Sequence, residues 1–180
     1  MQHSELAESR ARRIVLVFGG ARSGKSAFAE DLVAEAGFER VYIATGRAWD
    51  HEMADRIRGH QNRRGREWRT IEAPMELTEA LAHECRDDRA VLVDCLTLWI
   101  TNLMMEERDV ASAMDELTRA LASLPGLIVL VTNEVGLGIV PENRMARAFR
   151  DHSGRLSQAI AAIADEVVLV AAGLPLRLKG

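Results

Sequence analysis

Gly19-Gly20-Ala21-Arg22-Ser23-Gly24-Lys25-Ser26 is the stretch from which the rest of this chain can be read. It has a glycine at its first and sixth places, then a lysine and a hydroxyl, the G-x-x-x-x-G-K-[ST] spacing of a phosphate loop. The apolar run Ile14-Val15-Leu16-Val17-Phe18 precedes it as a buried strand, and Ala27-Phe28-Ala29 with Leu32-Val33 follow at helical spacing. A strand that ends in glycines and opens a helix gathers backbone N–H groups, and the positive end of the helix dipole, around an anion. Lys25 then reaches the β- and γ-phosphates of a nucleotide, and Ser26 is placed to ligate Mg²⁺. An ordinary glycine turn would require neither the lysine nor this flanking periodicity. The stretch predicts a chain that binds a nucleoside triphosphate.

Working outward, further strand-like runs lie at 41–44, 90–94, 127–132 and 166–171. They are continuous and rich in β-branched residues rather than alternating, the pattern of strands covered on both faces. Helical patterns separate them at 26–36, roughly 50–64, 75–86, 110–123 and 143–164. This alternation predicts an α/β fold with a mainly parallel sheet flanked by helices. Pro175-Leu176-Arg177-Leu178-Lys179 reads as a final edge strand after a turn at Gly173. No repeat or low-complexity linker divides the chain, so a single domain is expected over 13–180, preceded by a flexible, charged arm at 1–12.

Composition narrows the function. The chain has 180 residues, enough for one sizeable core, and its net charge of −4 argues against a general nucleic-acid binder. No apolar stretch reaches the ~18 residues that span a bilayer, and the first twelve residues lack the apolar segment of a signal peptide. Cys85 and Cys95 have neither the number nor the spacing for a disulfide framework or a zinc site, so a cytoplasmic location is expected. Between Asp50 and Thr70, Arg56, Arg58, Arg63, Arg64, Arg66 and Arg69 concentrate positive charge suited to a polyphosphate, although a solvated helix face would look similar.

Several residues are candidates for chemistry. Asp94 closes a buried apolar strand, where a carboxylate holds Mg²⁺ beside a phosphate loop or else caps the next helix. Ala44-Thr45-Gly46-Arg47 closes the second strand at the same carboxyl edge, where ligands of open α/β sheets gather. Thr45 and Gly46 are candidates to offer a hydroxyl and backbone donors to the nucleotide, or to form a plain turn. His60 shares a helical face with Met53, Ile57 and Arg64. It reads either as a hydrogen-bonded core histidine or, among its arginines, as a neutral ring able to attack phosphorus. Thr132-Asn133-Glu134 leaves the fourth run at this edge, with Glu134 open as a general base, a group behind the magnesium, or a capping acid. Arg144, Arg147 and Arg150 follow on one side of a helix, either reaching phosphates across a subunit boundary or lining a wet face.

Taken together, Gly19–Ser26, Ala44-Thr45-Gly46, Glu52-Met53, Arg56-Ile57, His60, Arg64, Trp68-Arg69-Thr70 and Thr132–Arg150 closely resemble one family. It is the bifunctional adenosylcobinamide kinase/adenosylcobinamide-phosphate guanylyltransferase family of cobalamin assembly. The resemblance runs from about Arg13 to Lys179, and Thr132-Asn133-Glu134-Val135-Gly136-Leu137-Gly138-Ile139-Val140-Pro141-Glu142-Asn143-Arg144 is its most specific stretch. It implies a RecA-like sheet, a homotrimer and two reactions on one scaffold. In the first, ATP or GTP phosphorylates the aminopropanol hydroxyl of adenosylcobinamide. In the second, GTP donates GMP through a covalent histidine to give adenosyl-GDP-cobinamide and pyrophosphate. The resemblance implies His60 as the guanylylated histidine, and Lys25 with it as a catalytic group. It implies a nucleotide site of Gly19, Gly20, Ala21, Arg22, Ser23, Gly24, Lys25, Ser26, Ala44, Thr45, Gly46, Gln61, Asn62, Arg63, Arg64, Glu72 and Asp94, with Ser26 and Asp94 at the metal. Two other readings compete: a small-molecule kinase without the guanylyl step, and a RecA-like ATPase module.

Overall fold

The computed structural model describes residues 12–47, 65 and 67–180. Seven strands form one sheet: β1 (Arg13–Gly19), β2 (Glu39–Ala44), β3 (Trp68–Glu72), β4 (Arg89–Asp94), β5 (Leu127–Asn133), β6 (Glu166–Ala171) and β7 (Leu174–Lys179). The described helices are α1 (Lys25–Glu35), α2 (Leu77–Glu84), α3 (Leu96–Met105), α4 (Val110–Leu121) and α5 (Arg144–Ile163). Across the sheet the strands run β3-β2-β4-β5-β1-β6-β7. Every pairing is parallel except β6 with β7, which turn back through Ala172 and Gly173.

The continuous apolar runs have the cause inferred from their composition. Ile14 and Leu16 of β1, with Val91 and Val93 of β4 and Ile128 and Leu130 of β5, pack on one face against α2, α3, α4 and α5. Val15, Val17, Leu92, Val129 and Val131 point to the opposite face, where Ala29 and Val33 of α1 cover them. Because both faces are dry, alternation of polar and apolar residues has no place in the central strands.

The expected strands agree with the structure to within two residues at either end, as do the ends of the described helices 26–36, 75–86, 110–123 and 143–164. Two elements were not anticipated. β3 is a short edge strand with three of five residues exposed, and its Trp-Arg-Thr-Ile-Glu sequence shows no apolar run. α3 is apolar on nearly all sides, with Leu96, Trp99, Ile100 and Leu103 buried, so it has no amphipathic stripe to reveal its period. The expected helix at 50–64, with His60, Gln61, Asn62, Arg63 and Arg64, lies outside the described residues, as does the arm up to residue 11. Arg12 is tied down, its guanidinium donating to the Ala122 carbonyl at 2.7 Å. Among the described residues, no helix is long and apolar enough to cross a membrane.

Candidate nucleotide-binding site

The phosphate loop leaves β1 at the carboxyl edge and enters α1, as the sequence predicts. Gly19 is required by space: a Cβ there would lie 2.3 Å from the Val170 carbonyl oxygen and 2.7 Å from Ser23 Oγ. Gly24 is required by conformation, with φ at +96°, and it serves as the N-cap of α1. A glycine cap has no side chain to occupy the first N–H groups of the helix, whereas α4 and α5 fill theirs with Asp109 and Asn143. The opening turn of α1 therefore keeps its donors for an anion. The β6–β7 turn braces the loop from behind, the Gly173 N–H donating to the Ser23 carbonyl at 2.8 Å. Lys25 is 8% exposed and folds over the loop, its Nζ donating to the Gly20 carbonyl at 3.1 Å. Ser23 Oγ is buried with no hydrogen-bond partner, an unmet polar group inside the loop itself.

Asp94 ends β4 at the same edge, half-buried, and Oδ2 accepts from the Tyr42 hydroxyl at 3.1 Å. Its register partners are Ala44 on β2 and Val131 on β5, and Ala44 in turn pairs with Glu72 on β3. Ala44, Glu72 and Asp94 thus form one row across three strands, with Glu72 exposed. The loop and Asp94 meet at Cys95, whose buried thiol feels the charges of both Asp94 and Lys25. Burial pushes that thiol up to about 11, so it remains a neutral packing group at ordinary pH.

Thr45 has a different place from the one its hydroxyl suggested. It is 0% exposed, and Oγ1 donates to the Cys95 carbonyl at 2.7 Å while accepting from the Cys95 N–H at 2.9 Å. The hydroxyl fastens the end of β2 to the residue after Asp94, and both its bonds are made within the protein. Gly46 follows it at the same edge, half-buried. Glu134 is a capping acid: its carboxylate accepts from the N–H groups of Gly136 and Leu137. Arg147 braces the same loop by donating to the Pro141 and Glu142 carbonyls at 2.9 and 2.5 Å, while Arg150 pairs with Asp151.

Sequence reasoning left one pair without a role. Asn133 ends β5 and is the register partner of Gly19, so it lies between the phosphate-loop strand and the Asp94 strand. Its Nδ2 donates to Thr97 Oγ1 at 2.8 Å, and that hydroxyl in turn contacts Cys95 Sγ at 3.1 Å. A lone amide at a strand end was visible in the sequence, but its partner Thr97 sits on α3, the helix without a readable period.

A glycine loop feeding an uncapped helix, with a carboxylate two strands away on the same edge of a mainly parallel sheet, defines a RecA-like P-loop protein. Two solved structures share the fold. The flagellar accessory protein FlaH of Methanocaldococcus jannaschii superimposes with a TM-score of 0.54 at 15% identity, over 94% of this chain and 79% of that one. A Pyrococcus horikoshii OT3 protein does so with a TM-score of 0.55 at 10% identity, over 95% and 88%. The chain belongs to the cobinamide kinase / cobinamide phosphate guanyltransferase family, which matches residues 15–178. It is 47% identical over 167 residues to the bifunctional adenosylcobalamin biosynthesis protein CobP of Pseudomonas aeruginosa, covering 92% of this chain and 96% of that protein. It is 44% identical to the bifunctional adenosylcobalamin biosynthesis protein CobU of Salmonella typhimurium, covering 92% and 99%.

Proposed function

We propose that the protein is a bifunctional enzyme that phosphorylates adenosylcobinamide and then transfers GMP from GTP to the phosphorylated corrinoid. The observation that carries this reading is the uncapped α1 helix behind Gly19–Ser26, with Lys25 folded over the loop, in a chain matched to this family over residues 15–178. Phosphoryl transfer from ATP or GTP to a hydroxyl needs positioning and neutralisation of charge rather than a protein nucleophile. The loop N–H groups and Lys25 meet that need. Gly19, Gly20, Ala21, Arg22, Ser23, Gly24 and Ser26 surround the phosphates, while Ala44, Gly46 and Glu72 line the adjoining strand ends.

Hard oxygen donors suit Mg²⁺, and Ser26 with Asp94 supply a hydroxyl and a carboxylate at one edge. Tyr42 occupies Asp94 Oδ2, while Oδ1 has no protein partner among the described residues, which fits a ligand to a cation. When bound, the ion offsets the charge on the β- and γ-phosphates. Thr45 contributes by holding Cys95, and so Asp94, in register.

Nucleotidyl transfer differs, since attack must occur at the α-phosphate. In this reading His60 Nε2 or Nδ1 attacks that phosphorus, a P–N bond forms, the bond to the bridging oxygen breaks, and pyrophosphate leaves. The corrinoid phosphate oxygen then attacks the same phosphorus and displaces His60. Gln61, Asn62, Arg63 and Arg64 accompany His60, the arginines balancing charge on the α-phosphate. The working form is a homotrimer in the cytoplasm. Three exposed leucines on the edge strand β7, Leu174, Leu176 and Leu178, support self-association, and two free buried cysteines suit a reducing compartment. Sedimentation showing only a 20-kDa species at micromolar concentration would end the trimer reading.

The test is labelling with GTP and Mg²⁺. The protein should take up an acid-labile, base-stable label from the α but not the γ position, and His60→Asn should abolish it while the kinase step persists. Label retained by His60→Asn would place the nucleophile elsewhere.

A further inference from the structure

One cavity has no part in the chemistry above. It encloses about 380 Å³ between the last turn of α3 and the first turns of α5, walled by Thr101, Met104, Met105, Met145, Ala146 and Phe149. Its hydroxyl and its amide oxygen are engaged. Thr101 Oγ1 donates to the Thr97 carbonyl at 2.9 Å, and Asn143 Oδ1, at the rim, accepts from the N–H groups of Met145 and Ala146 at 2.7 and 3.2 Å. Met105 and Met145 nonetheless stand 52% and 56% exposed. The loop leading into α5 holds out two more apolar side chains, Leu137 and Ile139, 91% and 97% exposed. Glu134 and Arg147 brace that loop through its backbone, so its side chains are presented by a built structure. Large apolar side chains held out to water beside an apolar cavity mark a binding surface.

Its position says what kind of ligand it serves. Asn102 Nδ2 donates to the Thr45 and Pro74 carbonyls at 2.7 and 2.8 Å, and Glu106 pairs with Arg47 at 2.5 Å. These bonds fasten the end of α3 to the carboxyl edge of β2. On the other side the Glu134 N–H donates to the Gly19 carbonyl at 2.9 Å, joining the apolar loop to the start of the phosphate loop. The cavity therefore opens on the edge where phosphoryl transfer takes place.

We infer that the Met104–Met105–Met145–Phe149 cavity and the Leu137–Ile139 loop form the bed for the corrin macrocycle of the acceptor. The inference rests on the function proposed above. A corrinoid presents its reacting hydroxyl on a side arm, while its bulk is a broad ring with methyl groups on its faces and amide arms at its rim. Such a substrate requires an apolar bed beside the phosphate site, and thioether side chains conform to an irregular face. A small polar acceptor would require converging polar groups instead. Among the described residues no lysine or arginine lines the cavity, which suits the positive charge that cobalt gives the ring.

The test is the double variant M105Q/M145Q, which keeps side-chain length at two exposed positions while removing apolar contact. Cobinamide binding is measured by equilibrium dialysis, alongside the kinase KM for cobinamide and for nucleotide and the sedimentation coefficient. Cobinamide should bind about tenfold more weakly, with nucleotide KM and sedimentation unchanged. Unchanged cobinamide affinity, in a wild-type enzyme that phosphorylates cobinamide, overturns the inference and leaves the function standing. A changed sedimentation coefficient with unchanged affinity assigns the surface to a second copy of the chain. A wild-type protein that neither binds nor phosphorylates cobinamide overturns the proposed function, and the inference with it.

Discussion

Removing one hydroxyl from Thr45 should cost more than its distance from any phosphate implies. Thr45→Val keeps the β-branched shape but deletes Oγ1, the atom that donates to the Cys95 carbonyl at 2.7 Å and accepts from the Cys95 N–H at 2.9 Å. Thr45 is wholly buried and Cys95 nearly so, leaving water little access to the freed N–H, while the Cys95 carbonyl still accepts from the Trp99 N–H at 3.3 Å. The group left unsatisfied is the Cys95 N–H, and an unsatisfied buried polar group costs about 1–3 kcal/mol. In a domain of this size each kcal/mol lowers Tm by about 2–4 °C, which predicts a fall of about 2–12 °C. Because Cys95 adjoins Asp94, nucleotide affinity measured with Mg²⁺ should fall as well. Thr45→Ser, which restores the oxygen, should recover most of both. Thermal unfolding by circular dichroism at matched protein concentration decides the matter. A Thr45→Val protein melting at the wild-type temperature would refute the idea that this hydroxyl locks β2 to β4.

Gly19→Ala puts a methyl 2.3 Å from the Val170 carbonyl oxygen, forcing β1 and β6 apart; stability should drop by about 1–3 kcal/mol, and calorimetry should show nucleotide affinity falling at least tenfold. Wild-type affinity in that variant would mean the loop tolerates a wider strand end. Lys25→Ala removes a charge-assisted contact, and steady-state kinetics should show turnover lower by about 10²–10³. A normal rate would remove this loop from catalysis. Burial raises Cys85 from 9.0 to about 12 and Cys95 from 9.0 to about 11, so both thiols stay protonated in the folded state after the unfolded chain has begun to ionise. Above pH 9 the unfolded chain therefore binds fewer protons, and stability present below that pH is lost as pH rises toward 11 and 12. Urea unfolding of Cys85→Ala against wild type should show a shallower alkaline decline in the variant, and parallel curves would contradict the assignment.

Much of this structure is legible in the sequence because its central strands are buried on both faces. Runs such as Leu127-Ile128-Val129-Leu130-Val131 can satisfy nothing else, and Asn143 announces the start of α5 by accepting from Met145 and Ala146. The phosphate loop is equally plain, since space at Gly19 and the left-handed backbone at Gly24 restrict the residues that fit. Legibility fails where the environment is uniform. Leu96–Met105 is apolar all round, so its helical period leaves no trace, and Trp68–Glu72 is an edge strand too exposed to need an apolar run. Thr45 could be read as a ligand because a hydroxyl's partner is set by tertiary contacts, here with Cys95 fifty residues away. Glu134 was ambiguous for the same reason until the turn at Gly136 and Leu137 gave its carboxylate two donors.

The most direct test is to incubate the protein with cobinamide, GTP and Mg²⁺ and to separate the corrinoid products by chromatography over time. Two products should form in succession, first cobinamide phosphate and then GDP-cobinamide, the second with release of pyrophosphate. GTP consumed while cobinamide remains unmodified would contradict the proposed function, and accumulation of the phosphate alone would leave a kinase without the guanylyl step.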